Sequence, residues 1–187
     1  MNLANKLTIL RIIMVPVFMA FLMLLDPSNP NTAYVTISLV LFIAASLTDT
    51  LDGYIARHYN MITDFGKFMD PLADKMLTTA AFLGLMSFGR ASAWAVMLIL
   101  TREFIVAGIR QVAAGGGKVI AASIWGKMKT VFQMVAIVAA IILLYPICPE
   151  PTAVLITDIL VWLSAAVTVI SGADYVIKNI AIIKEAK

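Results

Sequence analysis

Cysteine, histidine and charge are all scarce in this chain of 187 residues. Cys148 is the one cysteine and His58 the one histidine, which excludes an intramolecular disulfide and a cysteine–histidine cluster for zinc. Charged residues make up 13% of the chain, whereas a soluble domain carries about a quarter. The remainder is 61% hydrophobic, a composition that predicts a membrane protein.

Six apolar segments approach the length of about 20 residues that crosses a bilayer as a helix. They cover approximately 8–25, 33–57, 70–88, 91–113, 126–146 and 153–177. Polar stretches and clusters of glycine or proline separate them. Because no repeat, low-complexity tract or linker interrupts the series, we predict one domain over residues 1–187. Its predicted fold is an all-α integral membrane protein with six transmembrane helices.

The basic residues predict how these helices are oriented. Every lysine and arginine except Arg90 lies near the termini, near the second-to-third connection or near the fourth-to-fifth connection. Basic residues favour the cytoplasmic side of a membrane. We therefore expect both termini and these two connections to face the cytoplasm.

Four carboxylates lie within this apolar chain, at Asp49, Asp52, Asp70 and Asp74. Their spacing puts each pair on one face of a helix, and charge at membrane depth indicates a functional site. Converging carboxylates repel one another, and a hard divalent cation such as Mg²⁺, or Mn²⁺ as a substitute, relieves this repulsion. Metal ions near a membrane surface suggest phosphoryl-type chemistry, with one carboxylate left to act as a general base.

Gly53, Ala56 and Arg57 share the helical face of Asp49 and Asp52. The two small residues let a bulky ligand approach the helix backbone, although helix–helix packing in a membrane also uses small residues. Arg57 can neutralise a phosphate or anchor the helix at the cytoplasmic surface.

Basic residues also gather around the fourth-to-fifth connection, at Arg102, Arg110, Lys118, Lys127 and Lys129. Such a cluster suits a small anionic substrate. It is equally typical of the bias of basic residues towards the cytoplasm and of attraction to anionic lipid. Glu103 is an acid within this group, and its simplest role is to pair with Arg102. Near the C-terminus, Asp174 is expected to pair with Lys178 one turn further on.

The spacing from Asp49 to Asp74, D-x2-D-G-x2-A-R-x8-G-x3-D-x3-D, resembles the signature of the CDP-alcohol phosphatidyltransferases at every position. Residues 5–11, 101–103 and 117–133 resemble the members of that family that make phosphatidylglycerol phosphate. Ala4 departs from the pattern, since a proline is expected there, and this affects only the entry to the first helix.

The resemblance implies transfer of a phosphatidyl group from CDP-diacylglycerol to sn-glycerol 3-phosphate, with release of CMP. It implies two metal ions and a homodimer, in the plasma (inner) membrane of a bacterium, with the active site facing the cytoplasm and no nucleic-acid partner. Metal ligands would be Asp49, Asp52, Asp70 and Asp74, and Asp74 would also be the base that accepts the proton of the glycerol hydroxyl. Contacts to CDP-diacylglycerol would come from Gly53, Arg57 and Thr63, with Ala56 beside them. For glycerol 3-phosphate we favour Arg110 and Lys127, followed by Arg102 and Lys118.

Two alternatives remain open on the sequence. The same chemistry can act on another acceptor, such as an inositol phosphate, serine, or phosphatidylglycerol in cardiolipin synthesis, and the basic cluster argues against serine. A divalent-cation transporter belongs to a different class. The motif carboxylates gather near one membrane face, and no matching acids line the opposite half of the helices apart from Asp158. This argues against a path for ions across the membrane.

Overall fold

The chain folds into six α-helices over the residues that the structure describes. This computed structural model describes residues 3–26, 29–58, 64–115 and 123–180, with side chains for all of them except 3–4, 49–58, 64–68, 70–71 and 114–115. The helices are α1 (Leu3–Met23), α2 (Thr32–His58), α3 (Asp64–Ser87), α4 (Ala93–Gly115), α5 (Ile124–Ile142) and α6 (Glu150–Lys178). Since these ranges contain no strand, the predicted all-α class is confirmed for them.

Each predicted apolar segment coincides with one helix, and local chemistry accounts for the breaks. Between α3 and α4 the backbone of Gly89 has a φ of 68°, a conformation that costs a side-chain-bearing residue about 1 kcal/mol or more. At the start of α5 the Ser123 hydroxyl accepts a hydrogen bond of 3.1 Å from the Gly126 amide, which satisfies one of the free amides of the first turn. Before α6, Pro149 precedes the first residue of the helix.

Three of the described helices are long and apolar enough to cross a membrane. They are α1 over Asn5–Met23, α5 over Ile124–Ile142, and α6 over Glu150–Lys178, while Thr32–Thr48 of α2 is a shorter apolar stretch. Many large apolar side chains point outward, among them Trp94 and Ile124, which are 73% and 79% exposed. Exposed apolar surface on this scale is unusual in a soluble protein. The helices are those of a membrane protein.

The interior is built around α1 and α6. Helix α1 packs against α2 and α3, and α6 packs against α4 and α5, while α3 also contacts α2, α4 and α5. Phe18 of α1 and Phe42 of α2 are fully buried, with ring centroids 5.8 Å apart, a favourable tilted aromatic pair. Gly84 of α3 faces the buried Leu22 of α1 so closely that a Cβ atom there would overlap its side chain.

Polar contacts join the helices at two opposite ends of the bundle. At one, which we call the Arg90 end, Arg90 donates a 3.0 Å hydrogen bond to the carbonyl of Leu143 and lies 3.8 Å from Glu150. Thr36 and Tyr145 share a 2.7 Å hydrogen bond there. The other, which we call the Glu103 end, carries the contacts described next.

Candidate active site

The four aspartates of the sequence motif lie on two helices that pack together. Asp49 and Asp52 are one turn apart in α2, Asp70 and Asp74 are one turn apart in α3, and α2 contacts α3. Of these four side chains, the structure describes that of Asp74, which is half-buried. Its carboxylate interacts electrostatically with Lys75 and with Lys129.

The donor chemistry of these positions fits a hard divalent cation. All four side chains are carboxylates, and oxygen ligands are those that Mg²⁺ and Mn²⁺ prefer. Pairs one turn apart on adjacent helices can approach one ion from two sides. Of the residues expected to contact CDP-diacylglycerol, Gly53, Ala56 and Arg57 lie in α2, and their side chains are outside the described set. Thr63, and Lys118 of the expected acceptor site, lie outside the described residues altogether.

Glu103 is the centre of a buried cluster of charges. Its side chain is 11% exposed and forms ion pairs with Lys129 of α5 and, at 3.3 Å, with the neighbouring Arg102. The Glu103 backbone carbonyl accepts a 3.2 Å hydrogen bond from Lys75 of α3. The predicted pairing of Glu103 with Arg102 is confirmed, and Glu103 also joins α4 to α3 and α5. Burying these charges without such partners costs several kcal/mol.

Arg102 continues this cluster to α6. Its side chain is 9% exposed, and its Nη2 donates a 2.8 Å hydrogen bond to the hydroxyl of Ser171. The next residue, Gly172, leaves room for the arginine, because a Cβ atom there would lie 2.6 Å from Arg102 Cγ. Gln133 of α5 donates a 3.2 Å hydrogen bond to Thr168 one turn earlier in α6. Helix α6 therefore carries several polar groups towards this end of the bundle.

Arg110 and Lys127, the two cations we favoured as acceptor ligands, differ in their surroundings. Arg110 Nε donates a 3.3 Å hydrogen bond to the hydroxyl of Tyr175, and its guanidinium carbon lies 5.5 Å from the ring centroid, within range of a cation–π interaction. Lys127, in the first turns of α5, is exposed. The expected pair of Asp174 and Lys178 is confirmed at 2.7 Å.

Several residues of this region have no part in the sequence motifs, namely Lys75, Ser171, Gly172 and Tyr175. The three on α6 lie about 65 to 70 positions from the arginines they contact, so local spacing did not reveal them. One signal was present: polar residues inside an otherwise apolar helix usually face a partner or a functional cavity.

Comparison with known proteins agrees with the motif. The family model described as CDP-alcohol phosphatidyltransferase matches residues 1–170. The chain belongs to this family. A CDP-diacylglycerol–glycerol-3-phosphate 3-phosphatidyltransferase of Bacillus subtilis (strain 168) is 42% identical, over 95% of both chains. A probable phosphatidylglycerophosphate synthase of Mycobacterium tuberculosis is also 42% identical, over 94% of this chain and 80% of its own. A CDP-diacylglycerol–glycerol-3-phosphate 3-phosphatidyltransferase of Rickettsia typhi is 36% identical, over 93% of this chain and 94% of its own.

Membership of the CDP-alcohol phosphatidyltransferase family connects the aspartates of α2 and α3 with the charged cluster around Glu103. The aspartates of α2 and α3 lie within the part of the chain that the family model matches. The cations around Glu103 come from α3, α4 and α5, and Asp74 is the described residue that connects the two groups. The arrangement puts a carboxylate in electrostatic contact with a cluster of cations, which suits a reaction between a hydroxyl and a phosphate-bearing partner.

Proposed function

We propose that this protein transfers the phosphatidyl group of CDP-diacylglycerol to sn-glycerol 3-phosphate and releases CMP. The names of relatives that are 36% and 42% identical over more than nine tenths of the chain support this activity. One structural observation supports the choice of acceptor: the Asp74 carboxylate interacts electrostatically with Lys75 and Lys129, and both of these cations contact Glu103. A base beside a cationic cluster suits an acceptor that carries both a hydroxyl and a phosphate.

In this proposal Asp74 accepts the proton of the acceptor hydroxyl as that oxygen attacks the phosphorus bonded to diacylglycerol. The bond from this phosphorus to CMP breaks, and CMP leaves with the electron pair. Arg110 and Lys127, with Arg102 and Lys118, attract the acceptor phosphate and keep the hydroxyl near the base. Gly53, Ala56, Arg57 and Thr63 bind the CDP portion of the donor.

Asp49, Asp52, Asp70 and Asp74 would hold the divalent metal on which this family generally depends. We propose two ions, Mg²⁺ or Mn²⁺. A bound divalent ion supplies Lewis-acid stabilisation of the charge that develops on the pyrophosphate.

For the membrane arrangement we propose six transmembrane helices in the plasma membrane of a bacterium. Both termini and the Glu103 end would face the cytoplasm, where the water-soluble acceptor is found. Arg90, the one basic residue outside the predicted cytoplasmic groups, is at the opposite end of the bundle, which supports this orientation. We further propose that one domain covers residues 1–187 and that the protein acts as a homodimer.

The experiment is CMP release by the full chain, purified in detergent, with CDP-diacylglycerol and Mg²⁺. Parallel samples contain glycerol 3-phosphate, an inositol phosphate, phosphatidylglycerol or no acceptor, and one further sample contains excess EDTA. We expect CMP only with glycerol 3-phosphate, and none with EDTA.

Release with a different acceptor would support phosphatidyl transfer and refute glycerol 3-phosphate as the acceptor. Absence of release with every acceptor, in protein shown to be folded, would refute the enzyme and favour a cation transporter. Release in EDTA would refute the metal requirement.

A further inference from the structure

We propose that Glu103 is a positioning residue that holds Lys129 and Lys75 in place to receive the phosphate of the acceptor. This inference rests on the proposed function and assigns a role to a residue outside the aspartate motif. Glu103 is itself an anion and does not bind the acceptor; it acts through the cations it contacts.

The first argument is the number of helices that meet at Glu103. Its carboxylate binds Lys129 of α5 and Arg102 of its own helix, and its backbone carbonyl binds Lys75 of α3. Arg102 in turn binds Ser171 of α6. One residue of α4 thus fixes cations that come from three helices and, through Arg102, is connected to a fourth.

The second argument is the conformational entropy of lysine. A free lysine side chain samples many rotamers, and fixing it costs up to about 2 kcal/mol. Lys129 is already fixed by Glu103 and is 12% exposed at its side chain. Because this entropy is already lost on folding, the binding of a phosphate to Lys129 does not have to offset that cost.

The third argument is the balance of charge. Among the described side chains that interact here, four are cations, Lys75, Arg102, Arg110 and Lys129, and two are carboxylates, Asp74 and Glu103. This surplus of positive charge suits the anionic phosphate of the acceptor. Glu103 therefore orders the cations and still leaves enough positive charge for the acceptor.

The test compares Glu103→Gln and Glu103→Asp with wild type, using full-length protein in detergent and varying each substrate separately. Glutamine keeps the size and one acceptor oxygen but removes the charge, and aspartate keeps the charge but withdraws it by one methylene. We expect the KM for glycerol 3-phosphate to rise about tenfold in Glu103→Gln and about threefold in Glu103→Asp. The KM for CDP-diacylglycerol should stay near wild type, whereas the melting temperature should fall in Glu103→Gln, because Lys129 and Arg102 lose a buried partner.

Glu150→Gln is the matched control. It makes the same chemical change in a glutamate that also faces an arginine, Arg90, at the other end of the bundle, and should leave both KM values unchanged. A second comparison joins Glu103→Gln with Lys129→Gln. If Glu103 acts through Lys129, the double variant should resemble Lys129→Gln alone, since the two effects share one interaction.

Three results would overturn the inference. One is a wild-type KM for glycerol 3-phosphate in folded Glu103→Gln or, if that variant does not fold, in Glu103→Asp. A second is a lower KM in Glu103→Gln, because Glu103 would then only weaken the positive potential. A third is an equal rise in the KM values for both substrates, which indicates a structural role alone. Wild-type protein that is inactive with glycerol 3-phosphate would refute the proposed function together with this inference, whereas each of the other results leaves the proposed function standing.

Discussion

Arg110 and Tyr175 form a pair in which one tyrosine binds the arginine in two ways. The tyrosine hydroxyl accepts a 3.3 Å hydrogen bond from Arg110 Nε, and the guanidinium carbon lies 5.5 Å from the centroid of the same ring. Tyr175 is 3% exposed, so its ring is fixed by packing in α6. The arginine therefore has a preferred position before any anion arrives.

Tyr175→Phe should weaken acceptor binding without unfolding the protein. The variant keeps the ring and loses one hydrogen bond worth about 1 kcal/mol, which corresponds to a rise of about fivefold in the KM for glycerol 3-phosphate. Steady-state CMP release at varied glycerol 3-phosphate measures this. Tyr145→Phe is the control, because it removes a hydroxyl that bonds to Thr36 at the Arg90 end. Equal KM values in the two variants would contradict the prediction.

Gly172→Ala should destabilise the protein. The added Cβ would lie 2.6 Å from Arg102 Cγ, so the arginine must move and lose its contacts with Ser171 and Glu103. Overpacking of this kind costs about 1–3 kcal/mol, which thermal unfolding in detergent detects as a lower melting temperature. Gly108→Ala in α4 is the control, since no heavy atom lies within 4 Å of the Cβ position. Gly108→Ala should be neutral or stabilise the protein by up to about 1 kcal/mol. If Gly108→Ala lowered the melting temperature more than Gly172→Ala, contact with Arg102 would not be the cause of the destabilisation.

Asp74→Asn should abolish turnover while leaving much of the donor binding intact. The amide cannot accept the proton of the acceptor hydroxyl, and we expect the rate to fall by about 10²-fold or more. Single-turnover CMP release measures the chemical step, and binding of CDP-diacylglycerol is measured separately. Full activity in this variant would remove Asp74 from the role of base.

Arg110→Ala and Lys127→Ala should each raise the apparent KM for glycerol 3-phosphate, by about tenfold, because each removes a charge-assisted contact to the phosphate. Lys178→Ala is the control: it removes a cation at the same end of the bundle, paired with Asp174 and 63% exposed at its side chain. If the KM for CDP-diacylglycerol rose instead, these residues would belong to the donor site.

Hydrophobic runs and their breaks predicted the six helices, because a long helix with few charged residues is recognisable from its composition. The clearest difference is at α3, which begins at Asp64 rather than near residue 70. The first residues of α3, 64–70, include Asp64, Lys67 and Asp70, so a search for apolar runs excludes most of this segment although it is helical. Charges also interrupt α4, where Arg102, Glu103 and Arg110 lie within one helix.

The candidate site was predictable where its residues follow a fixed spacing and unpredictable where they do not. The aspartates of α2 and α3 are a local pattern, and the prediction of a metal site there stays a prediction. The contacts of Arg102 with Ser171 and of Arg110 with Tyr175 depend on how α4 packs against α6. That packing depends on the surfaces of whole helices, so a short sequence motif does not predict it.

The residues that hold the two arginines come just after the last position that the family model matches. The match ends at residue 170, whereas Ser171, Gly172 and Tyr175 follow it directly. The end of the family-model match thus falls within α6, less than two turns before the groups that hold Arg102 and Arg110. A chain shortened at that boundary would keep every residue of the aspartate motif and lose the support of both arginines. In evolving relatives, positions 171, 172 and 175 should therefore change together with positions 102 and 110.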